Sequence, residues 1–152
     1  MESSKTDLYL SLGSNLGNRR GNIDTALELL KKAIGAPPEA VSSIIETEPQ
    51  GFSSPNKFLN CCARFGVPEG LGPIDILHIC KDIERRLGRV NDGLVYDGAG
   101  ARIYRDRPID IDILYFGDVS IDTPELTIPH PRMAERDFVM RPLREIFRLR
   151  SK

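Results

Sequence analysis

Arg107-Pro108-Ile109-Asp110-Ile111-Asp112-Ile113-Leu114-Tyr115-Phe116 is the stretch on which the fold turns. Ile109, Ile111 and Ile113 alternate with Asp110 and Asp112, the period of a strand with one buried face. Both carboxylates then point the same way, about 7 Å apart at two residues of strand rise. Aspartate is a poor strand former, so a pair on one strand face asks for a reason. A divalent cation is one. Magnesium takes oxygen ligands, few of them protein carboxylates, and leaves its other positions to water and phosphate. A solvated sheet face is the other, and the segment alone leaves both open.

The rest of the chain supplies the partners of this strand. Leu8, Leu10 and Leu12 alternate with Tyr9 and Ser11 and stop at Gly13-Ser14-Asn15, a first strand. Asn18 is placed to cap a helix with the stripe Ile23, Leu27, Leu30 and Ile34, closed by Gly35. A second strand is predicted over about Val41 to Thr47, before Pro49 and the turn-rich 51–56. A third runs from Lys57 to about Gly66, with Phe58, Asn60 and Cys62 on one face. Pro73 suits the first turn of a second helix, whose stripe Ile76, Leu77, Cys80, Ile83 and Leu87 ends at Gly88. A polar, glycine-containing loop from Val90 to about Asp106 leads into the aspartate strand. The order β-α-β-β-α-β is the ferredoxin-like split motif, an α+β fold with two helices on one face of a mainly antiparallel sheet. A C-terminal extension carrying Pro124, Pro129, Pro131 and Pro142 follows, with a short helix expected from Pro142 to Arg148.

A chain of 152 residues is long enough for one domain with a core of its own, here 1–152 with the core over about 7–147. Its 21 basic and 22 acidic residues leave a net charge of −1, which argues against a bulk nucleic-acid binder. Any phosphate chemistry must then come from locally gathered arginines. No apolar run approaches membrane-spanning length, and residues 1–7 lack the apolar segment of a signal peptide. Cys61 and Cys62 are strand neighbours facing opposite ways, and the three cysteines have no metal-ligand spacing. They read as reduced packing residues of a cytoplasmic protein.

Four further features bear on chemistry. Glu84 lies on or beside the apolar stripe of the second helix, where a carboxylate is costly unless paired or hydrogen-bonded; a flank position reaching solvent is its plainer reading. Gly88-Arg89 puts a basic residue at a helix end, which dipole compensation alone would explain. The long loop before the aspartates carries Arg102, Arg105 and Arg107, whose guanidinium groups match phosphate geometry. His130 sits between Pro129 and Pro131, and Arg136 follows. A structural turn would account for that histidine as well as a site would.

Six motifs recur together and in order: Gly13-Ser14-Asn15-Leu16-Gly17, Thr47-Glu48-Pro49-Gln50-Gly51, Phe58-Leu59-Asn60, Ile83 to Arg89, Asp106 to Leu114, and Ile128-Pro129-His130-Pro131. On these the chain resembles the 6-hydroxymethyl-7,8-dihydropterin pyrophosphokinase family, from about Leu8 to Ile146. The resemblance implies transfer of pyrophosphate from ATP to the pterin hydroxymethyl group in folate biosynthesis, giving AMP and the pterin diphosphate. It implies two Mg2+ ions on Asp110 and Asp112, and catalytic contacts from Arg89 and Arg107 to the phosphates. ATP binding falls to Glu84, Arg89, Arg105, Arg107, Ile113 through its backbone, Thr127, His130 and Arg136. Thr47, Glu48 and Gln50 match the pterin-binding loop, largely by backbone groups, while Asn60 would read the pterin edge and Phe58 and Phe138 would sandwich its ring. The implied partners are ATP and the pterin, with no nucleic acid, no membrane and a monomeric state. Ile45, Asn91, Glu125 and Pro131 depart from residues common in the family.

Other classes fit less well. An RNA-binding module of similar topology would place Asp110 and Asp112 against a phosphate backbone, which they repel without metal. A two-metal nuclease or nucleotidyl transferase would share the aspartates but have no use for Phe58, Asn60 and Phe138. A homologue that binds nucleotide without turnover is the remaining alternative.

Overall fold

The first strand outruns its leucine alternation at both ends: β1 spans Lys5–Ser14. The computed structural model describes residues 5–48, 56–88 and 108–147. Helix α1 (Arg19–Ile34) starts where the Asn18 side chain accepts the Gly21 N–H at 3.0 Å, and stops at Gly35, whose φ of +92° favours glycine. Two short strands, β2 (Ala40–Val41) and β3 (Ile45–Thr47), precede β4 (Phe58–Pro68). Helix α2 (Pro73–Arg86) has Pro73 in its first turn and Gly88 just past its end, and β5 (Asp110–Phe116) carries the aspartates. A small hairpin, β6 (Ile121–Asp122) with β7 (Thr127–Ile128), a 3-10 turn at Met133–Glu135 and helix α3 (Asp137–Ile146) complete the described chain. The Ile128–Pro129 peptide bond is cis.

The main sheet runs β2-β4-β1-β5, with β3 beside β2 on the same edge of β4, and every pairing is antiparallel. With β2 and β3 counted as one interrupted strand, this is the expected α+β, ferredoxin-like arrangement with β1 in the middle. Leu8, Leu10, Leu12, Cys61, Ala63, Phe65, Ile111 and Ile113 face α1 and α2 and form the larger core. Tyr9, Cys62 and Leu114 face the other way, against Met133, Val139, Leu143 and Ile146. All three cysteines are buried and free, with Cys61 and Cys62 in different cores as their alternation requires.

Two boundaries differ from the sequence reading. The strand expected over Val41 to Thr47 is broken because two serines redirect it. Ser42 Oγ takes the Cys62 N–H at 2.8 Å, and both N and Oγ of Ser43 donate to Glu145 at 2.9 Å. Such side-chain bonds compete with a sheet ladder. The C-terminal helix starts at Asp137 rather than Pro142. Val139, Pro142, Leu143 and Ile146 are buried at helical spacing, and this stripe outweighs the amide that Pro142 lacks.

Sheet register holds the detail that positions the site. Tyr9 pairs with Tyr115 and Leu10 with Ile113, so Leu114 is an extra, bulged residue. The bulge puts Leu114 and Tyr115 on the same side, against the smaller core, and returns Phe116 to the larger one, while Ile111 and Ile113 stay under α2 and both aspartates stay on the opposite face.

Candidate active site

Half of the sheet face opposite α1 and α2 is covered by α3, and the other half presents polar groups. One cross-strand row there reads Ile45, Asn60, Gly13, Asp110; the next reads Ser11 between Cys62 and Asp112. Asn60 and Asp110 therefore flank the same glycine, about two strand spacings, or roughly 10 Å, apart. A Cβ at Gly13 would lie 2.8 Å from Asn60 Oδ1 and 3.4 Å from Phe58 Cδ1. The missing side chain leaves room over Gly13 that the Asn60 amide oxygen and the edge of the Phe58 ring occupy. On the far side of Asn60, its Nδ2 donates to Thr47 Oγ1 at 2.6 Å, and Asn60 is 3% exposed. Phe58 is half-buried and pairs with Thr47.

The acidic side of this face is electrostatically strained. Burial, then the negative charges of Asp110 and Glu84, push the Asp112 carboxyl up to about 7, against partial relief from Arg136 and Lys81. A divalent cation would remove that repulsion. Among the described residues no group of three or more His, Cys, Asp or Glu could hold a metal ion, and Asp110 and Asp112 are two carboxylates side by side on one strand face. Two carboxylates suit magnesium, which keeps its remaining positions for water and phosphate oxygens. Glu84 is 2% exposed: its Oε2 accepts the Ile111 N–H at 2.8 Å, and its Oε1 is 3.6 Å from Lys81 Nζ. The costly carboxylate on the apolar stripe is thus bonded to the backbone between the two aspartates.

The C-terminal extension closes the same side. His130 N–H donates to the carbonyl of the bulged Leu114 at 3.1 Å, which seats the histidine beside β5. His130 Nδ1 accepts the Arg132 N–H at 3.2 Å, so the neutral ring carries its proton on Nε2. Burial and Arg136 hold its pKa below the ordinary value. The Arg136 guanidinium lies over the Phe138 ring, 5.7 Å from its centroid. Phe138 is half-buried against the smaller core, and Thr127 pairs with Asp122 in the hairpin. The Ile113 side chain belongs to the larger core, which leaves its backbone as the group for a ligand. Glu48 is exposed, with Lys57 Nζ 3.4 Å from its carboxylate.

The structure gathers Asp110, Asp112, His130 and Arg136 toward β5 on this face, with Glu84 reaching Ile111 from α2 and the Ile113 side chain in the core behind it, and with Thr47, Phe58 and Asn60 toward β3 and β4. Gln50, Arg89, Arg105 and Arg107 lie outside the described residues. Sequence reasoning gave Gly13 no site role of its own, because its place between Asn60 and Asp110 comes from the pairing register and not from its identity. Of the two readings of Glu84 from helical phase, the buried and hydrogen-bonded one holds, and the solvent-reaching flank does not.

A profile of the 7,8-dihydro-6-hydroxymethylpterin-pyrophosphokinase family matches residues 9–148. A 2-amino-4-hydroxy-6-hydroxymethyldihydropteridine pyrophosphokinase of Porphyromonas gingivalis is 46% identical, over 91% of this chain and 89% of its own. That of Bacillus subtilis is 37% identical, over 91% and 76%. The chain belongs to this pyrophosphokinase family. It is accordingly an enzyme, a transferase of folate synthesis. The family also occurs inside longer proteins. A mitochondrial folate synthesis bifunctional protein of Arabidopsis thaliana is 39% identical over 94% of this chain and 24% of its own. Among solved structures, an HPPK-DHPS in complex with substrates superposes with a TM-score of 0.69 at 14% identity, covering 95% of this chain and 40% of that one, which bears on the fold alone. Among the described residues no helix is long and apolar enough to cross a membrane.

Proposed function

We propose that this chain moves the pyrophosphoryl group of ATP onto the hydroxymethyl oxygen of 6-hydroxymethyl-7,8-dihydropterin, with AMP as the leaving product. It would act as a single cytoplasmic domain and as a monomer. The observation that carries the reading is the row Asn60, Gly13, Asp110, in which a buried amide and a carboxylate share one face of the sheet. A pterin lying over Gly13 would direct its polar edge to Asn60 and its hydroxymethyl group toward the aspartates. Phe58 and Phe138 would supply apolar faces for the ring.

Attack of the hydroxyl oxygen on the β-phosphorus needs alignment and charge neutralisation more than covalent help. Asp110 and Asp112 would hold two Mg2+ ions, which neutralise the phosphates and polarise the reacting oxygens when bound. Glu84 keeps the backbone between those aspartates in place through Ile111. His130 offers its Nε2–H, and Arg136 its guanidinium, to phosphate oxygens arriving beside β5. Arg89, Arg105 and Arg107 are assigned to the phosphates on the family resemblance, with Arg89 and Arg107 meeting the charge that grows in the transition state. Glu84, Ile113 and Thr127 are the remaining ATP-binding assignments, and Thr47, Glu48 and Gln50 those of the pterin loop.

Incubation of the purified protein with ATP, Mg2+ and the reduced pterin alcohol should yield AMP and the pterin diphosphate in equal amounts. Release of AMP without pterin diphosphate, or ADP in place of AMP, would overturn the assignment.

A further inference from the structure

We propose that the Thr47 side chain is a positioning residue that sets which atom of Asn60 meets the substrate; this rests on the pterin pocket proposed above. Thr47 sits diagonally across from Asn60, whose direct partner on β3 is Ile45. Its hydroxyl takes the Asn60 Nδ2–H at 2.6 Å. With the amide nitrogen turned to β3, the carbonyl oxygen Oδ1 is turned to β1, where the Gly13 position leaves room for it at 2.8 Å from a would-be Cβ. The two contacts belong to one planar amide and describe one orientation. Asn60 therefore offers a ligand on this sheet face a hydrogen-bond acceptor, and the ligand edge lying against it must donate. A 2-amino-4-oxo pyrimidine ring has such an edge in its ring N–H and exocyclic amino group. An edge of acceptors alone would face an oxygen and be rejected, because a buried polar group left unpaired is costly.

The consequence reaches a residue whose side chain would otherwise seem idle at a loop edge. Removing the Thr47 hydroxyl frees the amide to turn over, so the pocket should lose both affinity and polarity preference. Thr47→Val keeps the shape and removes the hydroxyl; Thr47→Ser keeps the hydroxyl and removes the methyl. Thr47 ends a three-residue strand at the sheet edge and is half-buried, so neither change threatens the core.

The test measures, by calorimetry with Mg2+ and a non-hydrolysable ATP analogue present, the binding of 6-hydroxymethyl-7,8-dihydropterin and of its 2-desamino counterpart. Thr47→Val should weaken pterin binding about tenfold and shrink the preference over the desamino compound, while Thr47→Ser stays within about threefold of the parent. Affinity for the ATP analogue alone should not change. Wild-type binding and preference in Thr47→Val, or an equal defect in Thr47→Ser, would overturn the proposal. Asn60→Ala separates the two levels: if it leaves pterin binding untouched, the pocket itself is misplaced. If it weakens binding while Thr47→Val does not, only the role given to Thr47 falls.

Discussion

A glycine and an aspartate define what single residues contribute here. Gly13→Ala adds one methyl group where Asn60 Oδ1 stands 2.8 Å away, so the amide must shift. We expect pterin affinity to fall by at least tenfold while binding of the ATP analogue with Mg2+ is retained, measured by calorimetry on the same protein. Asp112→Asn removes a carboxyl that burial, and then repulsion from Asp110 and Glu84, pushes up to about 7. Its melting temperature without metal should hold or rise, while Mg2+-dependent nucleotide binding collapses; a variant with full activity would take Asp112 out of the metal site. These two residues differ in how openly the sequence announces them. Asp110 and Asp112 are legible because strand alternation is local, needing only Ile109, Ile111 and Ile113 beside them. Gly13 is silent because its meaning depends on Asn60 and Asp110, each brought alongside by pairings that no local pattern specifies.

Elements hold these residues through a few bonds between secondary structures. Glu84 ties α2 to β5 by accepting the Ile111 N–H. Glu84→Ala would orphan a buried amide, and we expect a loss of about 1–3 kcal/mol in urea denaturation. Glu84→Gln keeps an acceptor and sheds a charge that repels Asp112, so it should be neutral or stabilising. The reverse ranking would mean that the charge, and not the bond, is what the fold uses. At this scale the sequence was clear for α1 and α2: Asn18 and Gly35 cap α1, Pro73 opens α2, and Gly88 follows its end with a positive φ, each as local chemistry predicts. It misled at α3, because Pro142 looks like a start when the buried stripe from Val139 carries the helix through it. It misled again at β2 and β3, where the interruption comes from Glu145, about a hundred residues away from Ser43.

For the whole molecule, the cysteines report integrity. Burial pushes the thiols of Cys61 and Cys62 up to about 12 from the ordinary 9.0, and raises Cys80 as well. Between about pH 9 and 12 the unfolded chain releases protons that the folded chain keeps, so stability from these groups falls as pH rises through that window. At pH 8 all three should resist alkylation until urea unfolds the protein, with the rate tracking loss of circular dichroism. A thiol modified under native conditions would contradict its place in a core. Sheet order has its own effect during synthesis. The first strand made is the central one, hydrogen-bonded to β4 on one side and to β5 on the other. On a ribosome adding about 5–20 residues per second, the β5 side of β1 waits roughly 5–20 s after emergence for its partner. Throughout that interval the nascent chain exposes an apolar, unpaired edge. Its yield in cells should therefore depend on chaperones that shield emerging strands more than the stability of the finished enzyme would suggest.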